Sequence, residues 1–142
     1  MMNFELLPFP SEREIVVDAG YLGAKRHIAY GFAEVDVTLA RELMQTRSAG
    51  ESGALLSFTA CVVASLARAI ETPPKVQAYR DWRGRLVVFH DVDVVTMIEP
   101  EPEAVAIPHI IQAANRRTVR EISDEIRSVQ ATLTEANSAA GW

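Results

Sequence analysis

Leu55–Ala78, LLSFTACVVASLARAIETPPKVQA, is the stretch on which the fold turns. Ser57 suits a helix N-cap, because its hydroxyl can accept a bond from a free first-turn N–H. From Phe58 to Ile70 there is no glycine, no proline and one charge, Arg68. Phe58, Cys61, Val62, Leu66 and Ala69 share one helical face, and Val63, Ala67 and Ile70 make a second. A helix apolar nearly all round is expected in a protein core or in a bilayer. These thirteen residues are too short for a bilayer, which takes about 20. The stretch therefore predicts a central helix clasped on most sides. Pro73 and Pro74 end it, since proline cannot continue the ladder.

Outward from this helix, the pattern alternates between strand and helix. Glu14–Asp18 (EIVVD) reads as a short strand, with Gly20 and Gly23 breaking any helix behind it. In His27–Val37, Ile28, Tyr30 and Phe32 alternate with small residues, as in a strand with one face on a core. Asp36 or Thr38 then caps a helix over about Leu39–Arg47, with Leu39, Leu43 and Met44 turned inward, and Ser48–Gly53 is a loop. After the prolines, Tyr79–Trp82 and Arg85–His90 form a hairpin around Arg83-Gly84. Asp91–Ile98 and Ala104–Ile111 are further strands, joined by EPEPE (99–103), whose prolines stiffen the connection. Asn115–Arg117 is a polar loop. Thr118 and Glu121 form a capping box. Val119, Ile122, Ile126, Val129 and Leu133 give the following helix one apolar seam. The order β, β, α, α, three or four strands, α predicts an α+β domain, a mixed sheet flanked by helices.

Composition narrows the function. A chain of 142 residues is one domain by default. The net charge of −5 argues against general binding to nucleic acid or an anionic membrane. A single cysteine, Cys61, excludes a disulfide framework and points to a reducing compartment. The N-terminus MMNFELLPFP lacks the basic-then-apolar order of a secretion signal. A cytoplasmic location is expected.

Three blocks resemble the dihydrolipoyl acyltransferases, the acyl-transferring components of 2-oxo acid dehydrogenase complexes. RHIAYGFAEVDVT (Arg26–Thr38) resembles their "iPHf…evDvt" strand. LSFTACVVASLARAIETPPKVQA (Leu56–Ala78) resembles their buried helix and following "P…NA". AVAIPHIIQAANRRTVREISDEI (Ala104–Ile126) is similar to "GLvvPvi…a…sl.eia.ei". The resemblance implies a partial chloramphenicol acetyltransferase-like fold, with an N-terminal arm and short strand over 1–25, the acyltransferase-like domain over 26–133 and a tail over 134–142. It further implies a trimer-type homo-oligomer and acyl transfer between dihydrolipoamide and coenzyme A. Coenzyme A would be a substrate, with no covalently bound cofactor. In that chemistry a histidine takes the proton of the attacking thiol and a hydroxyl stabilises the oxyanion.

The departures matter as much. No histidine here is followed by x-x-x-Asp-Gly, the family's H-x-x-x-D-G signature, and nothing resembles its "f.iSnlG" segment. Glu14–Lys25, with two glycines, replaces the family's arginine-rich N-terminal helix, and no segment of these 142 residues resembles the family's lipoyl domain. The chain thus resembles the first half, and somewhat more, of an acyltransferase domain, expected to be inactive alone.

The catalytic candidates are His109 and His27. His109 lies on a strand in place of an apolar residue of "vPv"; its ordinary reading is a half-buried histidine bonded to backbone. His27 matches the family's "PH" histidine, with Arg26 in place of the proline, and bracing the strand explains it. His90 ends a hairpin arm. Asp91 and Asp93 lack the spacing of a calcium loop and read as a solvated acidic tip, so no metal site is expected. Cys61 reads as core. Arg80, Arg83 and Arg85 with Trp82 could hold the phosphates of a nucleotide such as coenzyme A, or be ordinary surface. Arg116, Arg117 and Arg120 could bind an anion, or be neutralised by Glu121 and Asp124. Three functions follow: an acyltransferase needing a second polypeptide or a 2-oxo acid dehydrogenase complex, a non-catalytic assembly or regulatory module, or a carrier of a coenzyme A-type ligand.

Overall fold

The computed structural model describes residues 5, 7–10, 13–25, 27, 30–50, 56–102 and 104–140. The chain divides into two compact units, Met1–Val35 and Asp36–Trp142.

In the first unit, Glu14–Gly23 is helix α1, not the short strand that Ile15, Val16 and Val17 suggested. β-branched residues favour a strand only where a neighbouring strand takes up their backbone groups. Within this unit no strand is present among the described residues, so the local ladder wins. None of α1 is buried. Lys25 sits over the Tyr21 ring at 5.0 Å. The strand expected over His27–Val37 is likewise absent among its described residues, and Phe32 is 98% exposed. Its period-2 pattern supplies a face, but without a partner strand the backbone has nothing to pair with. Arg26, Ile28 and Ala29 lie outside the described residues.

The second unit opens with α2, Thr38–Gly50. Asp36, rather than Thr38, caps it: its Oδ1 accepts from the Thr38 N–H at 2.9 Å. The Thr38 bonds hold the Asp36 carboxyl below its ordinary value. Leu39 and Leu43, expected inside, are exposed, and Met44 is half-buried. α2 runs through Ser48–Gly50, three residues into the expected loop, and 51–53 lie outside the described residues. The Arg41 guanidinium lies 4.6 Å over the Phe58 ring.

The central helix is α3, Phe58–Glu71, and the Ser57 hydroxyl accepts from the Ala60 N–H at 3.4 Å. Only one side is covered. Ala60, Val63, Ala64 and Ala67 are buried, whereas Val62 and Leu66 are 51% and 48% exposed. The helix is clasped on one face rather than on most, because α4 and the turn before it are its neighbours, and among the described residues of this unit no element covers the Val62–Leu66–Ala69 face.

Pro73 and Pro74 turn the chain into a single 3-10 turn, Pro74–Gln77. The Gln77 side-chain amide donates to the carbonyls of Phe89 and Asp91 at 3.0 and 3.3 Å, closing the base of the next hairpin. That hairpin pairs β1, Tyr79–Arg80, with β2, Leu86–Val87, and Gly84 takes the left-handed φ of 79° its turn requires. β3, Val94–Ile98, pairs antiparallel with β4, Ile107–Ile111, placing Thr96 opposite His109. Among the described residues all strand pairing is antiparallel, in these two pairs, as short connections dictate. The α+β class stands, with its strands in two small sheets.

α4, Val119–Ala140, begins at the expected capping box. The Thr118 N–H donates to Glu121 Oε2 at 2.8 Å, and the Glu121 N–H to Thr118 Oγ1 at 3.2 Å. The helix passes Leu133 and takes in much of the expected tail. The Thr134 hydroxyl donates to the Pro100 carbonyl at 2.8 Å, giving the last turns something to rest on. Ile122 and Ser123 are buried and Ile126, Val129 and Leu133 half-buried, in line with the predicted seam. Ala60, Val63, Ala64, Ala67, Val92, Ile111, Ala114 and Ile122 form the core, flanked by Ile70, Val94, Val119 and Ile126.

Candidate functional site

β4 and α4 together build one polar cluster. Alternation along β4 turns Ile111 and His109 toward α4, leaving Ile110 outside. On α4, Glu125 is one helical turn beyond Ile122 and so sits at the border of the apolar seam. The His109 ring meets it there, with Nε2 2.7 Å from Glu125 Oε1. The other Glu125 oxygen accepts from Arg117 Nη1, and Arg117 Nη2 also donates to the Glu121 carbonyl at 3.1 Å. The three side chains are 28%, 26% and 26% exposed for His109, Glu125 and Arg117.

Burial pushes the Glu125 carboxyl upward, but the His109 and Arg117 hydrogen bonds, with their charges, outweigh it and hold the group below 4.5. Glu125 is therefore ionised at neutral pH and can only accept. It follows that His109 Nε2 carries the proton and donates it to the carboxylate. The arrangement orients an imidazole through one nitrogen and leaves Nδ1 as its remaining site, the geometry in which a carboxylate holds a general base.

Beside the cluster, Asn115 is buried in the turn before α4 and joins three segments. Its Oδ1 accepts from the Val92 N–H at 2.9 Å, and its amide donates to Glu71 Oε1 at 3.1 Å and to the His90 carbonyl at 3.2 Å. Asp93 Oδ1 accepts from the Ala113 N–H at 2.8 Å, and Asp91 pairs with Arg116 at 2.6 Å. The two aspartates are exposed, as the solvated reading expects, and also tie the β3 entry to the α4 entry. A shallow groove of about 290 Å³ runs between the start of α3, β3 and α4, lined by Thr59, Thr96, Ile98 and Gln130 among others.

Of the sequence candidates, His109 lies in a built environment and His27 is exposed in the first unit. His90 is exposed and contributes its carbonyl. Cys61 is half-buried and carries a free thiol. Arg116 and Arg117 are both paired with carboxylates, Arg85 is tied to Asp81 at 2.8 Å, and Arg83 lies over Trp82 at 4.5 Å. Among the described residues no group of three His, Cys, Asp or Glu could hold a metal ion, and no helix is long and apolar enough to cross a membrane. Sequence reasoning missed Glu125 as the partner of His109 and Asn115 as a buried hub. For Glu125 a signal existed, its place beside Ile122 and Ile126; for Asn115 there was none beyond a polar residue after two alanines.

No family model matches the chain, and neither does any curated protein. Solved structures do. Dihydrolipoamide acetyltransferase of Azotobacter vinelandii, in whose catalytic mechanism a serine, a histidine and an asparagine have been investigated, superposes with a TM-score of 0.77 at 12% identity over 95% of this chain. The chain shares the fold of that acyltransferase. A truncated catalytic core of the 2-oxoacid dehydrogenase multienzyme complex from Thermoplasma acidophilum matches with a TM-score of 0.72 at 20% identity over 94% of this chain. The chain spans 56% and 61% of the lengths of these two structures. The partial acyltransferase fold implied by the three sequence blocks is therefore present.

Proposed function

We propose that these residues are the scaffold portion of a dihydrolipoyl acyltransferase-type core, which transfers acyl groups between dihydrolipoamide and coenzyme A only when the remainder of such a core is supplied, in the same polypeptide or another. The observation that carries this reading is a fold match over nearly the whole of this chain to little more than half of each acyltransferase core. The sequence holds no H-x-x-x-D-G, and the one oriented imidazole, His109, lies in a chain with Glu125 and Arg117. Without the remainder, nothing brings a thiol and a thioester to that ring. The single thiol of the chain is in keeping with a reducing cytoplasm.

A thiol-release assay with acetyl-coenzyme A and dihydrolipoamide tests the proposal. The chain alone is expected to give no turnover, and addition of a C-terminal acyltransferase portion to give turnover. Turnover by the chain alone overturns it. Where complementation succeeds, His109→Ala decides whether this imidazole takes part, and an unchanged rate removes it.

The apolar face of α3 left open at Val62 and Leu66 favours a second reading, a non-catalytic assembly module of trimer type. That reading expects a stable oligomer with neither turnover nor coenzyme A affinity, with or without the added portion.

A further inference from the structure

We propose that the tip of the β1–β2 hairpin docks onto the acidic proline segment, Glu99–Pro102, of a second copy of this chain, joining copies head to tail. The tip is rigid. Asp81 Oδ1 accepts from the backbone N–H groups of Arg83 and Arg85 at 2.9 and 2.7 Å, and Oδ2 accepts from Arg85 Nε at 2.8 Å. The Gly84 N–H donates to the Asp81 carbonyl at 3.0 Å. Arg85 is thereby neutralised, while Arg80 and Arg83 make no ion pair with a described residue. Held on this frame, Trp82 is 86% exposed with the Arg83 guanidinium stacked on it. A preorganised tryptophan with adjacent arginines is the composition that dominates binding energy where proteins meet.

Charge complementarity selects the occupant. In a chain of net charge −5, the tip carries two positive charges that no described carboxylate pairs, and the run EPEPE puts three glutamates in five residues within a stretch, 86–115, that holds no Lys or Arg. Glu99, Glu101 and Pro102 are exposed. The segment is anchored from behind: the Glu99 carbonyl accepts from Gln130 Nε2 at 2.9 Å, and the Pro100 carbonyl from the Thr134 hydroxyl. Its backbone is fixed by proline, so docking costs little ordering. The exposed Glu99 and Glu101 carboxylates are targets of guanidinium groups, and the Pro102 ring, exposed in the turn that the Ala104 N–H closes onto the Glu101 carbonyl at 3.1 Å, offers apolar surface to Trp82. The hairpin precedes β3 and the acidic segment follows it, so the two patches flank opposite ends of one strand. A contact between unlike patches closes into a ring or runs on as a filament.

Light scattering of the full chain at micromolar concentration tests this, and its outcome is independent of the acyl-transfer assay. The protein is expected to associate. Arg80→Glu with Arg83→Glu, and separately Glu99→Lys with Glu101→Lys, are each expected to weaken association by about tenfold or more. An equimolar mixture of the two variants is expected to regain it, since reversed tips then meet reversed segments. Trp82→Ala weakens it without changing charge. The milder Arg83→Gln and Glu101→Gln move in the same direction and serve where a reversal fails to fold. A monomeric protein, reversals without effect, or a mixture no tighter than its parts overturns the proposal.

Discussion

At the scale of single residues, two polar groups hold more of the molecule than their size suggests. Asn115 satisfies the buried Val92 N–H, and Asn115→Ala leaves that donor without a partner. A loss of about 2 kcal/mol in urea unfolding is expected, the cost of an unpaired buried group. Glu125 makes a prediction in pH. Its folded value lies below its ordinary 4.5, so the unfolded state binds the proton more readily. The stabilisation it provides is present above pH 4.5 and is lost as pH falls through the lower, folded value. Glu125→Gln should flatten that acid-side decline, read as thermal midpoint against pH. Asp36, Asp81 and Glu121 are shifted the same way and keep part of the slope. His109 could be singled out from its chemistry. Its partner could not, because a contact between strand and helix depends on packing that sequence spacing does not encode.

At the scale of elements, legibility followed locality. The α3 cap at Ser57, the proline stop, the hairpin turn at Gly84 and the Thr118–Glu121 box are all written within four residues, and all stand. Thr118→Ala breaks the box and is expected to cost about 1 kcal/mol, measured as a shift in the denaturant midpoint. Failures came where an element needs a partner. The EIVVD strand became α1, and the strand expected over His27–Val37 did not form among its described residues, since period-2 patterning names a face without supplying a neighbour. The far end of α4 was missed for the converse reason: small and polar residues read as a fading tail, until Thr134 finds the Pro100 carbonyl.

At the scale of the whole molecule, the buried apolar residues among those described are few and small, four of the nine being alanine. Against this, Val62, Leu66, Val95, Met97 and Ile110 in the second unit face water. Association that covers such surface stabilises the folded chain by mass action. The thermal midpoint is therefore expected to rise with protein concentration, and calorimetry over a tenfold dilution series checks this; a midpoint independent of concentration removes it. One side of α3 lined by alanines and the other left open also has a biological corollary. Newly made copies that find no neighbour are the ones proteases reach first, so the lifetime of the protein in a cell would be governed by its own abundance.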